Sequence, residues 1–504
     1  MNKIIFAITV LLTLLSVDIQ TAFAQEKLSP QGCRRGTPRP QSMQLRRGAG
    51  EDRTPGGNFY HGERHQLTVM VAFNDRTFVG DEAATMELWN KIFNTVGFVE
   101  EPFKGSVHDY FMDQSYGELN LVFDLVYVQV SGDAEKYAST YSHDEKSQYL
   151  VQDIMDILKR DSQIDWGKYD WNGDGYVNQL LIIYAGHGMN DSSGSNLIWP
   201  HQWWISNRLK DMQQGVYCDP ISVSYGGKDY LVDCYCALSE LKNDDSYGTF
   251  GTICHEYTHC FGFPDFYYYG GKPLDSWDLM DSGNYNGDGF LPPGFSAHER
   301  WLMGWLTPIE LEETTSIVDM PALADEGRAY LIRNDEYENE YYIVENRQPL
   351  GWDAGLPGSG IVIFHVDYDP PLWTSTEAYV NSKNLKHYNI FHANNKTSPE
   401  SEWGYPYQAN DSLTNTSEPA ATLNHNNCDS TKLMSKPITN MAVNGGYASF
   451  DVTMTPTTTG VNEVRTGANQ LLYRFGMVDI IRDPKGNIRK VFNRVSSHSI
   501  KSER

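Results

Sequence analysis

His255 and His259 stand four residues apart with Glu256 beside the first. On a helix that spacing puts both imidazoles on one face, where they can grip a single ion. Zinc held this way lowers the pKa of a coordinated water to about 7, and a carboxylate in reach takes its proton as the oxygen attacks a carbonyl. That is peptide-bond hydrolysis in outline. Two histidines and a water leave one place open in a tetrahedral site, and Cys260-Phe261-Gly262-Phe263-Pro264-Asp265 offers the group to fill it. Gly262 permits the left-handed turn that ends the helix, Pro264 stiffens the exit, and Asp265 swings back to the metal.

A second oxygen-rich segment lies upstream. Asp170, Asn172 and Asp174 alternate, Gly175 follows, and the Tyr176 carbonyl and Asn178 come next in order. This matches the opening of a calcium loop, with a structural role for the ion. The likeness to an EF-hand is partial, because position twelve is Leu181 where that loop needs a bidentate acid, so further ligands must come from elsewhere. The competing reading is an Asx-rich turn with no metal.

The extended pattern His-Glu-x-x-His-x-x-Gly-x-x-Asp resembles the metzincin peptidases, and in particular the immune inhibitor A family of secreted bacterial metallopeptidases. Other segments carry the likeness too: Gly105-Ser106-Val107-His108-Asp109-Tyr110-Phe111 with Ser115-Tyr116-Gly117, Asp170 to Gly175, Ile198-Trp199-Pro200-His201, and Pro292-Pro293-Gly294-Phe295-Ser296-Ala297. It covers about residues 65 to 310 and extends further through Glu345-Asn346-Arg347 and Pro357-Gly358-Ser359-Gly360. The resemblance implies a zinc endopeptidase with a methionine-containing turn under the metal. Trp277-Asp278-Leu279-Met280-Asp281 looks like that turn, with Met280 as a floor and not a ligand. Tyr285, just beyond, is read as aromatic core packing in preference to an oxyanion-stabilising role.

Elements that could position these residues are visible in the periodicity. Gln66 to Phe73 is β-like, Leu150, Val151, Ile154, Ile157 and Leu158 recur at helical spacing, and Val177 to Tyr184 reads as a buried strand. After about Pro308 helical signals fade, and strand-like runs such as Glu340 to Glu345 and Gly360 to Asp367 are punctuated by Gly, Pro and Asn. The expected architecture is an α/β (α+β) metzincin-like catalytic domain at 63–308 followed by a β-sandwich-like domain at 309–454. Asp369 to Asn427 is expected to hold long loops, and residues 455–504 a linker and tail with one strand-turn-strand signal around Pro484-Lys485-Gly486-Asn487.

With 504 residues, 40% of them hydrophobic and 13% aromatic, the chain has material for more than one folded unit. A formal charge of -25 disfavours nucleic acid and anionic lipid as partners. Lys3, the apolar run Ile4 to Val17 and Ala22-Phe23-Ala24 read as a signal peptide over 1–24, with 25–62 as leader or pro-segment. The expected location is therefore secreted or extracellular, with possible cell-surface association, and no later stretch reads as a transmembrane span.

Seven cysteines, at 33, 218, 234, 236, 254, 260 and 428, permit up to three disulfides in an oxidising compartment. Cys33 is read as a leader thiol or disulfide partner ahead of a zinc-blocking switch. Cys254 and Cys260 flank the metal helix, about 9 Å apart in rise and too far to pair with each other. Each either ties the helix to another segment or stays a buried thiol. Cys234 and Cys236 are read as facing opposite sides of a strand, which argues against a second metal site there. His187 and His201 are read as packing residues.

The sequence therefore predicts a secreted zinc-dependent endopeptidase acting on extracellular proteins or peptides, with Glu256 as general base and calcium as a second, structural ion. Its rival is a non-catalytic adhesin or carbohydrate-binding surface protein stabilised by zinc and calcium. Against that rival, a structural zinc site closes its fourth position with protein, whereas this motif leaves it open and supplies a base.

Overall fold

The computed structural model describes residues 60–138, 146–190, 196–206, 219–247, 249–373 and 379–454, with the backbone of 470–475, 478–482 and 488–492. The signal peptide, nearly all of the leader, Cys33, Cys218 and the linker 455–469 lie outside the described residues.

The first half is built on strands β1 (Gly62–Ala72), β2 (Leu119–Gln129), β3 (Leu180–His187), β4 (His201–Trp204), β5 (Ile221–Tyr225), β6 (Lys228–Val232) and β7 (Cys234–Leu241). Its main helices are α1 (Glu82–Asn94), α2 (Val107–Gln114), α3 (Ser147–Leu158), α4 (Phe250–Cys260) and α5 (Ala297–Leu302). A five-stranded sheet has the order β2-β1-β3-β7-β4. Its first four strands are parallel, and β4 closes the edge antiparallel to β7. Parallel strands joined through helices are covered on both faces and so read as continuous apolar runs. In β3 all residues but the last are buried.

Local signals set the helix starts. Ser106 and Asp109 form a reciprocal capping box at α2, as do Ser296 and Glu299 at α5, each satisfying two otherwise orphaned amide protons. These residues belong to two of the segments that carry the family likeness. Gly105, just before the α2 cap, is pressed on the Trp352 ring: a Cβ there would fall 2.7 Å from it.

The second half is strand-rich. Strands β8 (Ile309–Glu310), β9 (Thr315–Met320), β10 (Ala329–Arg333), β11 (Glu340–Arg347), β12 (Gly360–Asp367), β13 (Tyr388–Ile390), β14 (Ile438–Asn444) and β15 (Tyr447–Val452) form a five-stranded sheet, β13-β12-β11-β10-β8, and a three-stranded one, β14-β15-β9. Side chains alternate across the larger sheet as a period of two requires. Tyr342, Val344, Ile361 and Ile363 share an apolar cluster with Ile438, Phe450 and Val452 of the smaller sheet. Tyr341, Ile343, Val362 and Phe364 join the cluster that runs through the first half. The larger sheet is thus buried on both faces, and the first-half core continues across residue 308 without a break. The long segment between β12 and β14 is mostly turns and loops. In the tail, backbone strands Gln470–Phe475, Val478–Arg482 and Ile488–Phe492 pair antiparallel.

The halves are also joined by a buried ion network. Arg347 on β11 donates to both Asp353 oxygens, at 2.7 and 2.6 Å, to Glu345 at 3.0 Å and to the Gly294 carbonyl at 2.9 Å. Glu345 in turn accepts from the Ala297 amide at 2.7 Å. Glu345-Asn346-Arg347 and Pro292-to-Ala297, distant in sequence, are therefore one junction.

Candidate metal centre

All eleven residues of α4 are buried, so every polar group on it needs a partner. Tyr257 finds one in the sheet: its hydroxyl donates to Gln66 Oε1 at 2.9 Å and accepts from Gln179 Nε2 at 3.1 Å. Thr258 bonds back to the Cys254 carbonyl at 2.7 Å. His255 Nδ1 lies 2.6 Å from the Leu279 carbonyl oxygen and His259 Nδ1 lies 2.7 Å from that of Phe263. A carbonyl only accepts, so each Nδ1 carries the proton and each Nε2 presents a lone pair.

Those two Nε2 atoms and Asp265 Oδ1 are buried and have no hydrogen-bond partner. They converge: Asp265 Oδ1 lies 3.3 Å from His255 Nε2 and 3.2 Å from His259 Nε2. Ligands about 2.0–2.1 Å from a tetrahedral zinc are separated by about 3.3 Å, so the spacing fits such an ion. The two rings stand nearly perpendicular, at 88°, as they must to aim at one point. Among the described residues, His255, His259 and Asp265 are the group of three whose ligand atoms could share a metal. Burial lowers the His259 pKa, a direction that favours the neutral imidazole a metal needs.

The approach to Asp265 depends on Gly262, whose φ of +97° is a left-handed value that a side chain disfavours. The Gly262 amide donates to the His259 carbonyl at 2.8 Å, closing the helix and turning the chain back. The segment Trp277 to Asp281 is tied to the helix and its exit through backbone groups. Asp278 Oδ1 accepts from the Met280 amide at 2.8 Å, the Met280 carbonyl accepts from the Phe266 amide at 2.9 Å, and Met280 is fully buried. One turn thus holds both His255 and the residue after Asp265. Glu256, the expected base, is also fully buried on the ligand helix.

The residues singled out elsewhere fall into place less uniformly. His201 is a packing residue, bonded to the Trp199 carbonyl, Ser147 and Tyr235. His187 pairs with Asp245 on the surface at 2.7 Å. Tyr285 is not core packing: it is 39% exposed, because the turn Gly283–Gly289 carries it outward. Cys234 and Cys236 do not face opposite sides. Residues two apart on a strand share a face, and both thiols meet Cys260.

In the loop from Asp170 to Asn178, Gly173 and Gly175 take left-handed φ values. Asp170 Oδ2 accepts from the Gly175 amide at 3.0 Å, while Oδ1 is buried with no hydrogen-bond partner. Asn172 and Asp174 accept from the amides of Asp174 and Tyr176, and Asn178 accepts from that of Trp171. Lys228 Nζ stands 3.7 Å from Asp170.

His298 escaped the sequence reading. It is fully buried, neither ring nitrogen has a hydrogen-bond partner, and Trp301, Tyr341, Tyr368, Trp373 and Tyr388 surround it. Burial pulls its pKa down to about 3. The aromatic enclosure comes from both halves of the chain, so no local pattern announces it.

Residues 70–304 match the family model of the immune inhibitor A peptidase M6, catalytic domain. No curated protein matches the chain.

Proposed function

Through residues 70–304 the chain belongs to the immune inhibitor A family of metallopeptidases, and on that premise we propose that it is a secreted zinc-dependent endopeptidase. The observation that carries the zinc assignment is the convergence of His255 Nε2, His259 Nε2 and Asp265 Oδ1, with both Nδ1 protons already engaged by carbonyls. Zinc bound there would acidify a water and polarise the scissile carbonyl. Glu256, next to His255 on the ligand helix, takes the proton from the attacking water. It then delivers that proton to the leaving amine nitrogen, the two-way role of a single acid-base residue. Gly262 and the Met280 turn keep the three ligands preorganised, so little reorganisation accompanies metal binding. Substrates are extracellular proteins or peptides. The leader 25–62 and the export reading rest on sequence.

We also assign a structural calcium ion to the Asp170, Asn172, Asp174, Tyr176 and Asn178 loop. Its support is the acid and amide spacing together with the buried, unbonded Asp170 Oδ1. No observation favours the adhesin reading.

The deciding measurement is zinc content and casein cleavage of the purified chain beside Glu256→Ala, with and without chelator. The reading stands if both forms bind about one zinc and the parent alone cuts. It falls if both bind zinc and neither cuts after the leader is trimmed.

A further inference from the structure

Three thiols beside the metal helix have no part in peptide hydrolysis. Cys234 and Cys236 project from the same face of β7, and both are fully buried. Helix α4 packs against β7 and brings Cys260, the residue after His259, into hydrogen-bond contact with both thiols. The Cys260 thiol also reaches the Glu256 carbonyl at 3.8 Å, and Gln202 on β4 donates to Cys234 Sγ at 3.2 Å. All three residues stand as thiols in the structure. Cys254, at the other end of the helix, is not in this contact set.

We propose that Cys260 is a disulfide-forming residue whose partner is Cys234 or Cys236, the bond acting as a covalent clamp between the last turn of the metal helix and the central sheet. Two thiols lose two protons and two electrons as the S–S bond forms. A disulfide oxidant, either a thiol-oxidising protein or oxidised glutathione, accepts the electrons as its own S–S bond opens to two thiols. With the sulfurs buried in the folded chain, the exchange takes place during folding. Either partner thiol can close the bond, and the other remains reduced. The clamp closes a short loop of the chain and so restricts the unfolded ensemble, at the point where His259 must hold its direction.

The test uses the full chain carrying Glu256→Ala, which prevents self-cleavage, folded with oxidised glutathione. The protein is alkylated under denaturing, non-reducing conditions and its peptides are mapped by mass spectrometry. The expected result is a linkage from the Cys260 peptide to the peptide holding Cys234 and Cys236, with one of those two alkylated. Melting should fall by several degrees on reduction. Cys234→Ala or Cys236→Ala alone should keep the linkage and the redox-dependent melt, and the double variant should lose both. Alkylation of all three cysteines in the parent, or linkage of Cys260 to any other cysteine, overturns the proposal. These readouts do not depend on peptidase activity, so the clamp and the hydrolytic reading fail separately.

Discussion

His255 Nδ1 donates to the Leu279 carbonyl oxygen across 2.6 Å, so the residue before Met280 selects which imidazole nitrogen faces the metal position. The turn acts on the site through its backbone, and the Met280 side chain is fully buried. The same device recurs at His259, where the acceptor is the Phe263 carbonyl.

That second contact makes Gly262 a sensitive position, because its left-handed φ lets the chain place Phe263. Gly262→Ala should cost about 1–3 kcal/mol of stability from backbone strain. Zinc affinity should fall roughly 10–100-fold through misplacement of His259. Thermal melts and chelator competition measure the two effects; unchanged affinity would remove Phe263 from the positioning scheme.

Ligand and base should separate cleanly. Asp265→Ala should lose zinc, whereas Glu256→Gln should retain it while kcat drops by about 10²- to 10⁴-fold, the usual contribution of a general base. Metal analysis beside steady-state kinetics distinguishes them. Loss of zinc in both variants would mean that Glu256 holds the ion.

Arg347 should be a stability hot spot far from the chemistry. Arg347→Met leaves Glu345 and Asp353 buried without their cation, a change expected to cost about 3–5 kcal/mol. Denaturant unfolding should show it, and the double variant with Asp353→Leu should be less destabilised than the sum of the two single changes. Additive effects would show that the buried contacts are energetically independent.

Acid stability should depend on His298. Its folded pKa is about 3 against an ordinary 6.5, so the unfolded chain binds the extra proton first. Stability from this residue is present above pH 6.5 and declines on acidification towards 3, by roughly 1 kcal/mol per pH unit. His298→Phe should flatten that limb of a stability-against-pH profile. An unaltered limb would show that His298 does not govern it.

Calcium added to metal-stripped protein resupplied with zinc should raise the melting temperature in a saturable way, because an ion bound only to the folded state stabilises it by mass action. Asp170→Ala should abolish the shift. No response in the parent would leave the loop as an Asx-rich turn.

Much of the site was legible because it is local. The proposed ligands, the proposed base and the glycine that turns the chain all lie within residues 255–265, and helix periodicity alone puts the two histidines side by side. Strand β12 could be read to its ends because Gly360 and Asp367 bracket an apolar run that His365 alone interrupts. The exposure of Tyr285 depends on what packs over it, a tertiary matter, whereas the shared face of Cys234 and Cys236 follows from strand parity alone.

What stays invisible along the chain is every partner supplied from a distance. Leu279 as the acceptor for His255, Gln66 and Gln179 as anchors of Tyr257, and Cys260 resting on Cys234 and Cys236 are all contacts between segments apart in sequence. The spacing of residue types marked the candidate ligands, because their geometry is set within one helix and its exit turn. Tertiary structure alone decided the tautomers, the burial and the aromatic enclosure of His298, because these depend on which surfaces meet when the sheets and helices pack.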